Sequence, residues 1–392
     1  MTNELSLRDI ARMRTVALLI AGGCGTDDSG RATGAAARTA AETQATPLTP
    51  AGIAGWFGAM QAQDLASGKW SFGLRLPDWT EADVDAAIER AEVLRTWPMR
   101  GTIHFVAAED AVWLLTTTGM RSLRTAVKRR ETLGLDDATA YRAAQLWGEA
   151  LSGGRRLTRA AMLRVLAGDG IETTGQRGYH LLWYAAQIGV TCIGPNEGKE
   201  QTFVLLEDWA PNQRDLSGEE ALAELALRYY RSHGPATYRE LARWAGITMT
   251  ESKAGIAAAG DLLASARHEG QQLHMAADLP DRASAVLAGQ GRTTVYVPPG
   301  FDEVMLGYGD RAAMLPDESA ERIVPGRNGV FRPTILIDGR VMGTWTRQRR
   351  TRKMVVTAEW FGEPGEAQRR GFADAMEGYA HFQATPVEIA DP

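Results

Sequence analysis

The hydrophobic positions fall into short helical blocks, each followed by brief extended stretches. The run from Arg12 to Ala21 predicts a packed first helix. Residues 22–49 have hardly a large apolar side chain and predict a mobile loop or linker, because such composition offsets little of its ordering entropy. Pro50 suits a first-turn position and opens a helix expected to run through Met60. "QAQD" interrupts it, and helical spacing resumes from Leu65 to Leu76 with Leu65, Trp70, Phe72 and Leu76. Thr80 with Asp83 three residues on is a capping-box start for "EADVDAAIERA". "VLRTWP" and "GTIHFV" then read as two strands around a tight turn at Met99, Arg100 and Gly101. Three helices closed by a hairpin describe a winged helix. That register puts Gln61 and Gln63 in the turn between its second and third helices.

The same order of elements recurs. "LTRAAMLRVLAGDG" reads as a helix ending at glycine and "TTGQRGYHLLWYAAQIG" as a second, while "VTCIGPNEGKEQTFVLL" reads as strand, polar turn and strand. A third copy starts at "GPATYRELARWAGITMTESKAGIAAAG", where Thr237 caps one helix, Gly246 turns and Thr250 starts the next. From about residue 291 the pattern is strand-rich, with a hairpin in "TILIDGRVMGTW" around Asp338-Gly339. The predicted fold is α+β, with three tandem winged helix-turn-helix modules over 1–125, 126–212 and 213–290. A strand-rich region over 291–392 follows, and the 22–49 insertion sits inside the first module.

Composition narrows the functional classes. At 392 residues, 44% hydrophobic and 23% charged, the chain is long enough for several packed domains. Lys and Arg total 43 against 48 Asp and Glu, a net charge of −5. That balance argues against a surface that is polyanion-binding throughout, yet leaves room for a local basic face. Two runs supply candidates: "RSLRTAVKRR" at 121–130, and the stretch ending in "RQRRTRK" at 347–353. Charge runs are often merely solvated, but beside winged helices they point to DNA. Cys24 and Cys192 form no disulfide framework or zinc spacing, as suits a reducing cytoplasm. "RMRTVALLIAGGCG" loosely resembles a lipoprotein signal, but its apolar run is short and is read here as a packed helix. The expectation is a cytoplasmic, nucleoid-associated protein that spans no membrane.

Familiar catalytic constellations are missing from the sequence. His104, His180, His233, His268, His274 and His381 have no metal-ligand spacing, and the glycine clusters lack the Lys-Ser/Thr of a phosphate loop. No metal and no cofactor are expected. Gln61 and Gln63 remain. They could simply punctuate a helix end by bonding backbone groups. They could also serve a reaction that two neutral amides can accelerate, hydrolysis of the N-glycosidic bond to an already cationic alkylated purine. The leaving base then needs no protonation. What remains is to hold a water near the anomeric carbon and to oppose an oxocarbenium-like charge, tasks an amide oxygen and its dipole can perform.

Four ordered blocks, "AMQAQD…GLRL", "LRTWPMRGTIHFV", "PPGFDEVMLGYGDR" and "NGVFRPTILIDGRVMGTW", resemble the AlkZ-like family of winged-helix DNA glycosylases from Gly52 to Trp345. The resemblance implies three winged helices in a C-shape with a concave basic face. It also implies a Gln-x-Gln catalytic motif at Gln61 and Gln63, in the branch linked to bulky alkylation adducts, interstrand crosslinks and self-resistance to genotoxins. The predicted partner is double-stranded DNA carrying alkylated purines, bound by a monomer. Asp64, His104 and Asp302 are second-line candidates to support the glutamines, with Glu303 beside Asp302. Asp64 could equally cap the next helix, and His104 could be a core strand residue. Arg100, Arg124, Lys128, Arg129, Arg347, Arg349, Arg350 and Arg352 are the DNA-contact candidates. The competing reading is a non-catalytic winged-helix regulator or drug-sequestering protein, in which the glutamines are structural.

Overall fold

A computed structural model describes residues 4–21, 49–288 and 294–390. The predicted linker over 22–49 lies, except for Thr49, outside the described residues, as does Cys24. The architecture is mixed α+β, as expected.

The first helix runs Leu7–Ala17 rather than from Arg12 to Ala21, because a Ser6–Asp9 capping box starts it earlier, and it buries Ile10, Met13 and Val16. Other local signals act where the sequence placed them. Thr80 and Asp83 form the predicted box ahead of the helix Glu81–Glu89. Thr237 caps Tyr238–Ala245, and Gly246 closes that helix in the left-handed region. The next helix begins one turn-residue earlier than expected. Its cap is Thr248, not Thr250, because Glu251 can reach back to the Thr248 backbone and complete a capping box.

Among the described residues, thirteen strands form three sheets. The largest holds β1 (Met60–Gln61), β2 (Val93–Met99), β3 (Thr102–Ala107), β4 (Leu157–Thr158), β5 (Thr191–Ile193) and β6 (Thr202–Leu205) in the order β1-β3-β2-β5-β6-β4. The predicted first and second hairpins therefore share one sheet, joined where Arg95 of β2 faces Ile193 of β5. β7 (Leu263–His268) and β8 (Gln271–Ala276) make a separate hairpin. The third sheet, order β13-β12-β11-β10-β9, is built from β9 (Val295–Tyr296), β10 (Thr334–Ile337), β11 (Arg340–Arg349), β12 (Met354–Trp360) and β13 (Val387–Ala390).

The C-terminal region is more than strands, for it includes the 17-residue helix Glu366–Phe382. Its Tyr379 and Phe382 rings pack 4.9 and 5.2 Å from Trp70. A side chain at Gly73 would collide with Phe382, so the glycine permits this close approach. The C-terminal region thus braces the helix Leu65–Gly73, the element immediately after the glutamine motif.

Candidate active site and DNA-contact surface

The helix that begins at Pro50 is capped by Thr49 and stops at Phe57, short of the predicted Met60. Gly58 ends it at φ 80°, a left-handed conformation in which a side chain would be strained. The chain then runs extended, and β1 joins the edge of the large sheet, with Met60 opposite Phe105 and Gln61 opposite His104. Ala62 continues the contact by donating to the Ile103 carbonyl at 2.9 Å. Gln61 therefore sits on an edge strand rather than in a helix-to-helix turn. The alternation of a strand explains the burial: Met60 and Ala62 point inward, while Gln61 is half-buried and Gln63 exposed. Gly68, in the following helix, lets that helix approach the Gln61 carbonyl and the Phe105 ring.

Gln63 N–H donates to Gln61 Oε1 at 2.9 Å, which pins the Gln61 amide. The Gln61 oxygen retains a second lone pair. The Gln63 side chain makes no hydrogen bond to any described residue. Of the second-line candidates, Asp64 caps the helix Leu65–Gly73 by accepting from Ser67 N–H at 3.0 Å. It does not bond the glutamines. His104 is buried and donates Nδ1–H to the Thr102 carbonyl at 2.8 Å. Burial, reinforced by the nearby Arg100 charge, pushes its pKa down to about 4. As the cross-strand partner of Gln61, this neutral ring shares a sheet face with the Gln61 side chain.

Asp302 faces elsewhere. It accepts two 2.9 Å bonds from Arg75 in a buried bidentate pair and caps the helix Glu303–Leu306 through Val304 N–H. Its carboxylate is occupied by Arg75 because Arg75, one helix downstream of the glutamines, is itself fully buried and needs the counter-charge. Its neighbour reaches the motif instead: Glu303 Oε1 accepts from Gln61 N–H at 3.3 Å. Glu303 Oε2 accepts from Trp244 Nε1–H at 3.0 Å and from His233 Nε2–H at 3.2 Å. Burial alone would raise the Glu303 pKa, but the bond from His233 and its charge interaction with that ring, followed by His104 and the Trp244 bond, outweigh it and pull the carboxyl down to about 2. Burial also depresses the His233 pKa, so the ring is neutral, taking the Ser232 hydroxyl on Nδ1 and donating from Nε2. His233 and Trp244 carry no motif or spacing that could have announced this role in the sequence.

Of the DNA-contact candidates, Arg124, Lys128 and Arg129 lie exposed on the short helices Met120–Thr125 and Val127–Thr132, with no side-chain hydrogen bond to a described residue. Arg130, at the end of that run, is buried and paired with Asp137. Arg349, Arg350 and Arg352 are exposed where β11 passes into β12. Arg347 is half-buried and donates to the Tyr379 hydroxyl at 3.1 Å, so part of its bonding capacity serves the fold. Lys353 pairs with Glu388. Arg100 is exposed on the β2–β3 turn at φ 52°, near the turn between the helices Tyr238–Ala245 and Met249–Ala259, where a side chain on Gly246 would meet its Cγ at 3.2 Å. No helix among the described residues is long and apolar enough to cross a membrane.

Comparison with known proteins places this geometry. A family model described as "DNA glycosylase AlkZ-like" matches residues 54–382. An "Interstrand DNA cross-link repair glycosylase" of Streptomyces sahachiroi is 25% identical over 307 residues, covering 75% of this chain and 81% of that protein. The solved structure of Streptomyces sahachiroi DNA glycosylase AlkZ superposes with a TM-score of 0.75 at 20% identity, covering 99% of this chain and all of the other. That likeness shows a common fold. The match over residues 54–382, which begins ahead of the glutamine strand and ends at the helix that braces it, shows that this chain belongs to the AlkZ-like DNA glycosylase family and is an enzyme that hydrolyses N-glycosyl bonds in DNA.

Proposed function

We propose that the chain is a monofunctional glycosylase that releases cationic N-alkylated purines from double-stranded DNA, bulky adducts and interstrand crosslinks included, in repair or genotoxin self-resistance. Gln61 and Gln63 are its catalytic pair. The observation that carries this reading is the pinned geometry at the edge strand: Gln61 Oε1 is fixed by the Gln63 backbone N–H, and the Gln63 side chain is exposed with no hydrogen bond to a described residue. Gln63 holds the attacking water, and the Gln61 oxygen faces the developing oxocarbenium charge. An alkylated purine leaves with its own positive charge, so two neutral amides suffice. An edge strand, open on one side, accommodates adducts that a closed pocket would refuse. The relative named for crosslink repair supports that breadth of substrate.

The remaining parts of the reading concern DNA. Three winged helices form a C-shaped monomer whose concave basic face holds the duplex, with Arg100, Arg124, Lys128, Arg129, Arg349, Arg350 and Arg352 on phosphates. Supporting this are their exposure and the absence of competing ion pairs among the described residues.

Single-turnover base release decides the catalytic assignment. Gln61→Ala and Gln63→Ala remove interactions made in the transition state, so the rate falls on the order of tenfold to a thousandfold while DNA affinity holds. Gln63→Asp is milder, because a carboxylate also holds water and opposes positive charge. Folded alanine variants that release base at the wild-type rate would return the glutamines to a structural role.

A further inference from the structure

Among the described residues, the carboxylate behind the glutamine strand has no lysine or arginine partner. Glu303 is buried, and its hydrogen bonds come from a backbone amide, an indole and a neutral imidazole. The guanidinium of Arg75, which pairs with the neighbouring Asp302, is already spent there. Arg100 is within electrostatic range but makes no bond to Glu303. His104, across the strand from Gln61, is neutral. A buried carboxylate without a cationic partner is costly to keep, and folds that need only packing replace such groups with apolar ones. Here one negative charge is held directly behind the Gln61 backbone, in a low-dielectric setting where it acts over distance.

We infer that Glu303 is a positioning and specificity-determining residue: it anchors the Gln61 strand through the backbone amide, and its charge makes the site prefer a positively charged sugar or base over a neutral one. The inference rests on the oxocarbenium reading of the site. Its orientation role follows from the bond to Gln61 N–H, because the same strand segment carries Gln61 Oε1 and, two residues on, the amide that pins it. Its charge role follows from geometry. Oε1 lies 3.3 Å from Gln61 N, and a reacting sugar would be held beyond the Gln61 side chain. At a separation of about 8 Å, with an effective dielectric of about 20, a unit charge pair alters an equilibrium on the order of tenfold to thirtyfold.

The test compares two uncleavable DNAs that differ in charge at the reacting position: one carries a pyrrolidine abasic analogue, cationic at neutral pH, the other its neutral tetrahydrofuran counterpart. Wild type is expected to bind the pyrrolidine DNA more tightly. In Glu303→Gln that preference shrinks about tenfold, while affinity for tetrahydrofuran DNA is unchanged. A merely structural role would weaken both DNAs together and leave their ratio intact, which overturns the assignment. A wild-type enzyme with no preference for the cation would sink the oxocarbenium reading and the Glu303 assignment with it. A preference equal in wild type and variant sinks the Glu303 assignment alone. Glu303→Gln turns an amide NH₂ toward the Trp244 indole N–H. Should it fail to fold, Glu303→Gln with Trp244→Phe removes that clash of donors while His233, by shifting its proton to Nδ1, accepts from the new amide. The ratio is then read against Trp244→Phe alone.

Discussion

Two hairpins in this molecule turn the same way and are used in opposite ways. Between β2 and β3 the turn residues are Arg100 and Gly101, at φ 52° and 71°. Between β10 and β11 they are Asp338 and Gly339, at φ 50° and 80°. Both have the two positive φ values that match a two-residue turn to the twist of its strands. The second turn is clamped. Asp338 takes Arg12 at 2.7 Å and Arg8 at 3.0 Å from the first helix, and Gly339 lies so close that a Cβ would come within 2.8 Å of the Ala11 backbone. The first turn's Arg100 makes no ion pair among the described residues. A residue that carries a side chain is strained at φ near +50°, and arginine has no short polar side chain to soften the strain as aspartate has. Local turn chemistry is therefore common to both, and the neighbours decide whether the turn fastens the fold or faces a ligand.

The comparison breaks most sharply at the clamp. Gly339→Ala should destabilise by about 2–4 kcal/mol, because the added carbon meets backbone and the residue must keep a left-handed conformation. A thermal melt measures this, and base release per folded molecule should not change. A melt within experimental error of wild type would mean the first helix can withdraw from the sheet.

Acid should separate the hairpins next. His104 in β3 has a folded pKa near 4 against an ordinary 6.5, so the unfolded chain binds the proton more readily. Stability from this residue is full above pH 6.5 and lost as the pH falls toward 4, on the order of 3 kcal/mol. The Asp338 carboxyl is held below its ordinary 3.8, though burial opposes this, by its bonds to Arg12 and Arg8, so the clamp persists through the same window. Hydrogen exchange at pH 5 should show β3 amides losing protection before β10 and β11, and His104→Asn should flatten the difference.

A smaller effect with opposed signs is expected at Arg100. Replacing it by glycine relieves the left-handed strain and should raise stability by about 0.5–1 kcal/mol. If Arg100 contacts phosphate, the same change weakens DNA binding and lowers the salt slope by about one unit. An unchanged slope removes Arg100 from the DNA surface. Least of all, Asp338→Asn should cost roughly 0.5–1 kcal/mol, diminishing in high salt, since its ion pairs are largely exposed.

Several elements were legible residue by residue. Capping boxes at Thr80 and the left-handed stop at Gly246 act within one helical turn, so neighbouring residues contain all the information. The same holds for the Asp338-Gly339 turn. The glutamines were legible as candidates through their spacing and the family resemblance, but their setting was not. A two-residue strand has too little periodicity to be distinguished from a helix end, so Gln61 became a strand residue only when β3 offered its free edge. The Thr248 start was missed because two threonines stand two apart, and only the reach of Glu251 chose between them.

By itself, then, the sequence determined the helix caps at Thr80 and Thr237, the tight turns and the polar pair set between apolar segments, since each depends on contacts a few residues long. Tertiary structure decided which charges are free and which are spent. Asp302 and Glu303 are adjacent and chemically alike, yet one closes on Arg75 and the other lies behind Gln61, 242 residues away in the chain. Arg129 and Arg130 divide in the same way, one exposed and one buried against Asp137. No local pattern distinguishes such neighbours, because a charged side chain takes its role from the partner and the solvent that the finished fold brings to it.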